Sequence, residues 1–189
     1  KLGLLSEAKQ RQMEIREPIY GRVYADMLLG PSVSLSRFLQ PRVEPELAVV
    51  LRADVPAGTV PSRARAAFGG FFLALDVLDS VCQDYRFTAP EVVADNASGG
   101  AFALGPVLVP ETDVPAQLRL FLNGALRSEG PTEALGDLGA RVAWLADRVG
   151  GLRSGQVVFL GSPAPAVPAE PGTVEVWSGA GVLLLRFEP

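Results

Sequence analysis

"RVEPELAVVL", residues 42–51, sets two carboxylates two positions apart at the head of an otherwise apolar run. Glu44 and Glu46 flank Pro45, and Leu47, Ala48, Val49, Val50 and Leu51 follow. The stretch reads as a strand from about Val43 to Arg52, and in extended chain residues i and i+2 project from the same face. Two acids side by side at the head of a buried strand repel each other and resist desolvation. Either that face is half open to solvent, or a cation sits between the carboxylates.

The composition narrows the choice. A chain of 189 residues, 48% of them hydrophobic, suits one domain with a substantial core. A net charge of −4 without a basic tract argues against nucleic-acid or anionic-membrane partners. No apolar run approaches the roughly 20 residues of a membrane helix, and no charged-then-apolar leader is seen. Cys82 is the only cysteine, which excludes an internal disulfide and fits a reducing cytoplasm. Histidine is absent, so zinc sites of thiolate and imidazole are nearly excluded, as is Ser-His-Asp or Cys-His catalysis. Any metal must be held by oxygen. The sequence begins at lysine rather than methionine, which points to a fragment lacking an upstream segment.

Around the opening strand, residues 4–15 read as a helix with Ser6 as N-cap. Residues 17–28, opened by Pro18 and punctuated by Gly21, predict a turn into irregular or extended chain. "PSRARAAFGGFF" holds a short helix with Pro61 near its start. "FLALDVLD" (72–79) and "GGAFALGPVLV" (99–109) read as strands, and Asn123-Gly124 between apolar runs signals a hairpin. Residues 132–150 are the clearest helix, with Leu138, Val142, Leu145 and Val149 on one stripe and Gly150-Gly151 as its stop. Residues 155–161 and 172–188 read as strands, the latter with a hairpin at 178–181, and "SPAPAVPAEPG" (162–172) as a loop. Strands predominate, which favours a mainly β body, α+β in class, with flanking helices.

Asp76 is a third acid in an apolar strand-like run. An oxygen-loving divalent cation such as Mg²⁺, with carboxylate ligands at about 2.0–2.1 Å, would remove the repulsion among Glu44, Glu46 and Asp76. "ADNAS" (94–98) reads either as an ordinary loop or as a polar anion-binding loop using the Asn96 amide and the Ser98 hydroxyl.

These motifs in order, "KLGLLS" at 1, "PIYG" at 18, "QPRVEPELA" at 40, "ALDVLDS" at 74, "VVADNAS" at 92 and "PGTVEV" at 171, resemble the 2-oxopent-4-enoate hydratase / 4-oxalocrotonate decarboxylase family, relatives of the fumarylacetoacetate hydrolases. The resemblance spans the whole chain. It implies a distorted β-barrel or roll with flanking helices, forming one catalytic domain over 1–189 without the family's short N-terminal segment. It also implies that Glu44, Glu46 and Asp76 bind Mg²⁺ or Mn²⁺. Lys1 matches a family lysine near the reacting centre, and Asp26 is a second candidate catalytic group, with a cap or loop role as its alternative. Ser6, Asn96 and Ser98 are implied as substrate-binding. The implied partners are a small 2-oxo acid and a homo-oligomer, with a hydratase or decarboxylase paralogue as a further assembly partner.

The branch is read from local features. Family hydratases carry an aspartate where this chain has Ile19, and decarboxylases commonly show Pro-Ile-Tyr-Gly, the "DS" of Asp79-Ser80 and an aromatic pair like Tyr85 and Phe87. The resemblance therefore implies a metal-dependent lyase of decarboxylase type, with the hydratase and a catalytically silent assembly subunit as alternatives. Hydrolysis or isomerisation of a β-dicarbonyl lacks its usual histidine base. Departures from the family pattern are Leu5 for a threonine, Leu160 for a threonine, Val81 for an arginine, and Asp76 for a glutamate. Leu5 and Leu160 are expected to line the metal-bearing pocket and to make it more apolar.

Overall fold

The computed structural model describes residues 1–5, 10 and 15–189. The helix expected over 4–15, and Ser6 with it, falls largely outside those residues; Leu4 and Leu5, which are described, are not helical. The chain runs β1 (Leu2–Gly3), β2 (Ile19–Tyr20), β3 (Ser32–Ser34), β4 (Arg42–Leu51), α1 (Pro61–Ala66), β5 (Phe68–Leu78), α2 (Ala89–Ala94), β6 (Gly99–Val109), β7 (Gln117–Leu122), β8 (Ala125–Pro131), α3 (Leu138–Val149), β9 (Val157–Phe159), β10 (Val167–Pro168), β11 (Gly172–Ser178) and β12 (Gly181–Glu188).

Two five-stranded sheets carry the fold. One runs β10-β4-β5-β6 with β9 also on β4, and the other runs β3-β12-β11-β7-β8. Their ends do not join, so the mainly β expectation holds as an open roll and not as a closed barrel. Antiparallel β4 and β5 form the spine, with Glu44 opposite Asp76 and Glu46 opposite Ala74. Alternation along β4 sends Val43, Leu47, Val49 and Leu51 into the main core, against Leu75 and Val77 of β5 and Leu118, Leu120, Val174 and Val176 of the second sheet. The opposite face of the same strands carries Glu44, Glu46 and Asp76 at one end. At the other end it carries an apolar cluster of Ala48, Ala74, Phe102 and Phe159, where Phe102 meets Phe159 edge-on at 5.2 Å.

The hairpin at Asn123-Gly124 forms with φ of 52° and 78°, the pair that a type I′ turn requires. The helix expected over 132–150 is two pieces. A short 3₁₀ turn at Thr132–Leu135 ends at Gly136, and Asp137 then caps α3 by accepting from Ala140 N at 3.0 Å. Val142 and Leu145 are buried as expected, while Val149 is exposed at the helix end. A segment the sequence reading did not assign to a helix, α2, opens with Thr88 and Glu91 as a capping box.

Gly130 of β8 lies so near the following loop that an added Cβ would fall 2.2 Å from the Pro163 carbonyl oxygen. Backbone cannot yield as a side-chain tip can, so Gly130→Ala is expected to lose about 1–3 kcal/mol of stability. Thermal and denaturant unfolding of the variant check this; an unchanged midpoint would show that the 130–163 contact gives way freely.

Candidate metal centre and ligand cavity

Pairing of β4 with β5 brings the three acids together, since Glu44 and Asp76 are cross-strand partners and Glu46 is two residues further along the same face. One carboxylate oxygen from each lies within 4.8 Å of the others, and all three residues are buried. Glu46 is fully enclosed. Its Oε2 accepts from Gly161 N at 3.1 Å, and its Oε1 has no hydrogen-bond partner among the described residues. Burial, then the charges of Asp76 and Glu44, hold the Glu46 carboxyl well above the ordinary value of 4.5, with Lys1 opposing. Three buried carboxylates this close, one of them with an oxygen left unpartnered, are a donor set suited to a hard divalent cation.

Lys1 enters from the short ribbon of β1 and β2, in which Leu2 pairs Tyr20 and Gly3 pairs Ile19. The pairing extends one step further: Lys1 N donates to Gly21 O at 2.7 Å and Gly21 N returns to Lys1 O at 3.0 Å. This sets the Lys1 ammonium 2.7 Å from Asp76 Oδ2, both side chains buried.

Beside the acids opens a cavity of about 320 Å³. Its polar wall is Lys1, Arg42, Glu44, Asp76, Tyr85 and Ser98; Leu4, Ile19, Phe87 and Val92 are among its apolar residues. Ser98 is buried and its hydroxyl has no partner among the described residues. Three consecutive left-handed residues, Asn96, Ala97 and Ser98 with φ of 52°, 56° and 51°, bring Ala97 and Ser98 to the cavity wall. The Tyr85 hydroxyl donates to Gln40 O at 3.0 Å, and burial, followed by the charge of Asp79, pushes its pKa up. The Arg42 guanidinium carbon lies 5.2 Å from the centre of the Tyr85 ring.

The expected site residues divide accordingly. Glu44, Glu46, Asp76, Lys1 and Ser98 come together. Asn96 does not face the cavity ligand space: its Oδ1 accepts from Arg22 N at 2.7 Å and its Nδ2 donates to Arg22 O at 2.8 Å, so both amide atoms clamp backbone. Asp26 is exposed in a one-turn 3₁₀ segment and is not among the residues of the cavity wall. Leu5 and Leu160 are likewise not wall residues, and both belong to the main core. Leu4 has φ of 52°, which breaks the alternation and turns Leu4, instead of Leu5, to the cavity. Leu160 follows β9 and donates to Leu47 O, so by parity it shares the core face of Leu47. Sequence reasoning missed Arg42 as a wall residue, though its i−2 spacing from Glu44 was a usable signal; Pro165 and Ala166 reach the wall from a loop that carried none.

The fumarylacetoacetate (FAA) hydrolase C-terminal family model matches residues 7–184. A 4-oxalocrotonate decarboxylase from Pseudomonas sp is 33% identical over 182 residues, covering 91% of this chain and 70% of that protein. A 2-keto-4-pentenoate hydratase from Paraburkholderia phymatum is 36% identical over 178 residues, covering 88% and 68%. Among solved structures, 4-oxalocrotonate decarboxylase from Pseudomonas putida G7, complexed with magnesium and adipate, superposes with a TM-score of 0.92 at 30% identity, over 99% of this chain and 76% of that one.

The raised pKa of Glu46 has a definite sign in stability. The folded state holds the Glu46 proton more tightly than the unfolded state, so metal-free protein gains stability as pH falls from that raised value toward 4.5. Glu46→Gln without metal is therefore expected to be more stable than the unsubstituted protein at pH 8, by on the order of 1 kcal/mol, with the difference shrinking as pH falls. Saturating Mg²⁺ at pH 8 should reverse the order, because the substitution removes one carboxylate of the candidate site. Melting curves across pH with chelator and with Mg²⁺ decide; a pH-independent difference would exclude Glu46 as the strained group.

Proposed function

The chain belongs to the fumarylacetoacetate hydrolase family, and on that footing we propose that it is a metal-dependent lyase that decarboxylates an unsaturated 2-oxo acid. Glu44, Glu46 and Asp76 would hold Mg²⁺ or Mn²⁺. Bound there, the ion supplies Lewis-acid polarisation of the 2-oxo acid. The observation that carries the branch is the acid content of the cavity: Glu44 and Asp76 are the only carboxylates among its described wall residues, and both are spoken for as ligands.

Hydration needs a base to activate water and an acid to protonate carbon. Ile19, buried on the wall, offers neither, and Asp26 lies on the surface. Decarboxylation asks less of the side chains. The bond from carbon to the departing carboxylate breaks, its electron pair delocalises onto the conjugated 2-oxo group, CO₂ leaves, and one proton is taken up. Lys1, buried beside Asp76, would stabilise that developing charge and give the proton, and its burial there supports the reading. The unpartnered Ser98 hydroxyl is free to donate to a carboxylate of the ligand. Leu4, Ile19, Phe87 and Val92 keep bulk water from the reacting carbons.

The same reading covers the setting of the enzyme. Residues 1–189 act as a single catalytic unit, in a homo-oligomer, on a small 2-oxo acid. The free Cys82 suits a cytoplasmic location. No helix of the described residues is long and apolar enough to cross a membrane.

A panel of 2-oxo-enoic acids followed by ultraviolet absorbance, with Mg²⁺ or Mn²⁺ and then with chelator, tests the reading. Metal-dependent CO₂ release from an unsaturated 2-oxo diacid is expected to outpace water addition to a 2-hydroxydienoate. Lys1→Met should slow it by about 10²-fold or more. Metal-dependent water addition without CO₂ release would make the protein a hydratase. Metal uptake with neither reaction would leave a silent assembly subunit.

A further inference from the structure

Lys1 reaches Asp76 from a ribbon that has little of its own to hold it. β1 and β2 pair over two residues each and form a sheet apart from the two five-stranded ones. A two-stranded ribbon of that length is not stable by itself. Packing fixes its side chains: Leu2 lies in the main core, and Ile19 packs with Ile15, Val92 and Ala97. Next to Lys1 the backbone of the ribbon is fixed by the Asn96 side chain. Asn96 Oδ1 accepts from Arg22 N at 2.7 Å, and Asn96 Nδ2 donates to Arg22 O at 2.8 Å. One peptide unit away, Gly21 exchanges two main-chain bonds with Lys1.

The Asn96 amide is itself held in a slot. A Cβ added at Gly21 would stand 2.9 Å from Asn96 Oδ1, and one added at Gly99 would stand 2.8 Å from Nδ2, so two glycines leave the room that the amide fills. Its left-handed φ of 52° is one that asparagine tolerates better than most residues. Asn96 N donates to Val93 O at the end of α2, which ties the slot to that helix.

We propose that Asn96 is a positioning residue for Lys1: its amide fixes the β1–β2 ribbon so that the ammonium stands at Asp76, beside the three-carboxylate cluster. The catalytic consequence rests on the proposed lyase reading, in which Lys1 gives the proton. Proton transfer needs hydrogen-bond reach, and a displacement of about 1 Å caused far from the chemistry can cost about 10²-fold. Asn96 is not a wall residue, so its loss lowers kcat and spares KM and metal uptake. Ser98 stands on the wall two residues further along, and a double-mutant cycle separates an effect through it from one through Lys1.

The test compares unsubstituted protein with Asn96→Gly and Asn96→Asp. Glycine removes both bonds to Arg22 and accepts the left-handed φ. Aspartate keeps the acceptor for Arg22 N, loses the donor, and serves where the glycine variant does not fold. Amide hydrogen exchange comes first, since it needs no substrate. In Asn96→Gly the Gly21 N–H is expected to lose about tenfold in protection while the amides of β4 and β5 keep theirs, with Asn96→Asp between. Unchanged protection at Gly21 overturns the assignment and leaves the lyase reading standing. Turnover of 4-oxalocrotonate by Mn²⁺-loaded protein comes second. Asn96→Gly is expected to lower kcat about tenfold at little changed KM and Mn²⁺ affinity. In a Lys1→Met background that loss should vanish to within about twofold, and in a Ser98→Ala background it should persist in full. A loss retained in Lys1→Met, or confined to KM, overturns the assignment. Absence of metal-dependent turnover in unsubstituted protein overturns the lyase reading and the catalytic role of Asn96 together.

Discussion

Three carboxylates on one buried face of β4 and β5 repel one another and have lost their water. The rest of the site is arranged around that repulsion. Lys1 partly offsets it at Asp76, the Gly161 amide at one oxygen of Glu46, and the other Glu46 oxygen has no partner among the described residues. Such a face is tolerable only because the reverse side of the same two strands lies in the main core, where Leu47, Val49, Leu75 and Val77 bury apolar area sufficient to hold the strands in place.

Secondary contacts fix how the pieces meet. Asn96, in the left-handed turn before β6, grips both backbone groups of Arg22, and an added Cβ at the adjacent Gly21 would stand 2.4 Å from Asn96 O. Gly21 pairs with Lys1. The ammonium at Asp76 is thus positioned through a relay of main-chain bonds that begins in the "ADNAS" loop. That loop reads as ligand-binding in sequence; Ala97 and Ser98 of it reach the cavity, and Asn96 serves as its fastener.

Strand alternation made much of this legible. Period two along 42–51 places Glu44 and Glu46 together and opposite to Leu47 and Val49, and no tertiary information is needed for that. What it does not reveal is the partner register that sets Asp76 against Glu44; the resemblance grouped the three acids, and the register is seen only in the paired strands. It fails where backbone leaves the extended region. Leu4 at φ 52° exchanges the roles of Leu4 and Leu5, and the parity of β9 sends Leu160 to the core. The apolar substitutions at Leu5 and Leu160 therefore do not depolarise the cavity, as their sequence context implied. Val81 is a solvent-exposed surface residue, 74% accessible. α2 was overlooked because Val92 and Val93 weaken a six-residue helix, although its Thr88–Glu91 box was readable. Asp26 had no signal beyond its charge.

The two faces of β4 also set how this protein can change over evolutionary time. Glu44, Glu46 and Asp76 stand on strands whose backs are the core, so a substitution that shifts them also loosens the packing beneath. The remaining walls come from the β1–β2 ribbon, the 79–98 segment and the 162–172 loop, which lie outside the paired spine. Residues such as Leu4, Ile19, Phe87 and Pro165 can be exchanged while the carboxylate floor keeps its shape. Change is thereby channelled into the rim of the cavity, above a carboxylate floor that descendants would share.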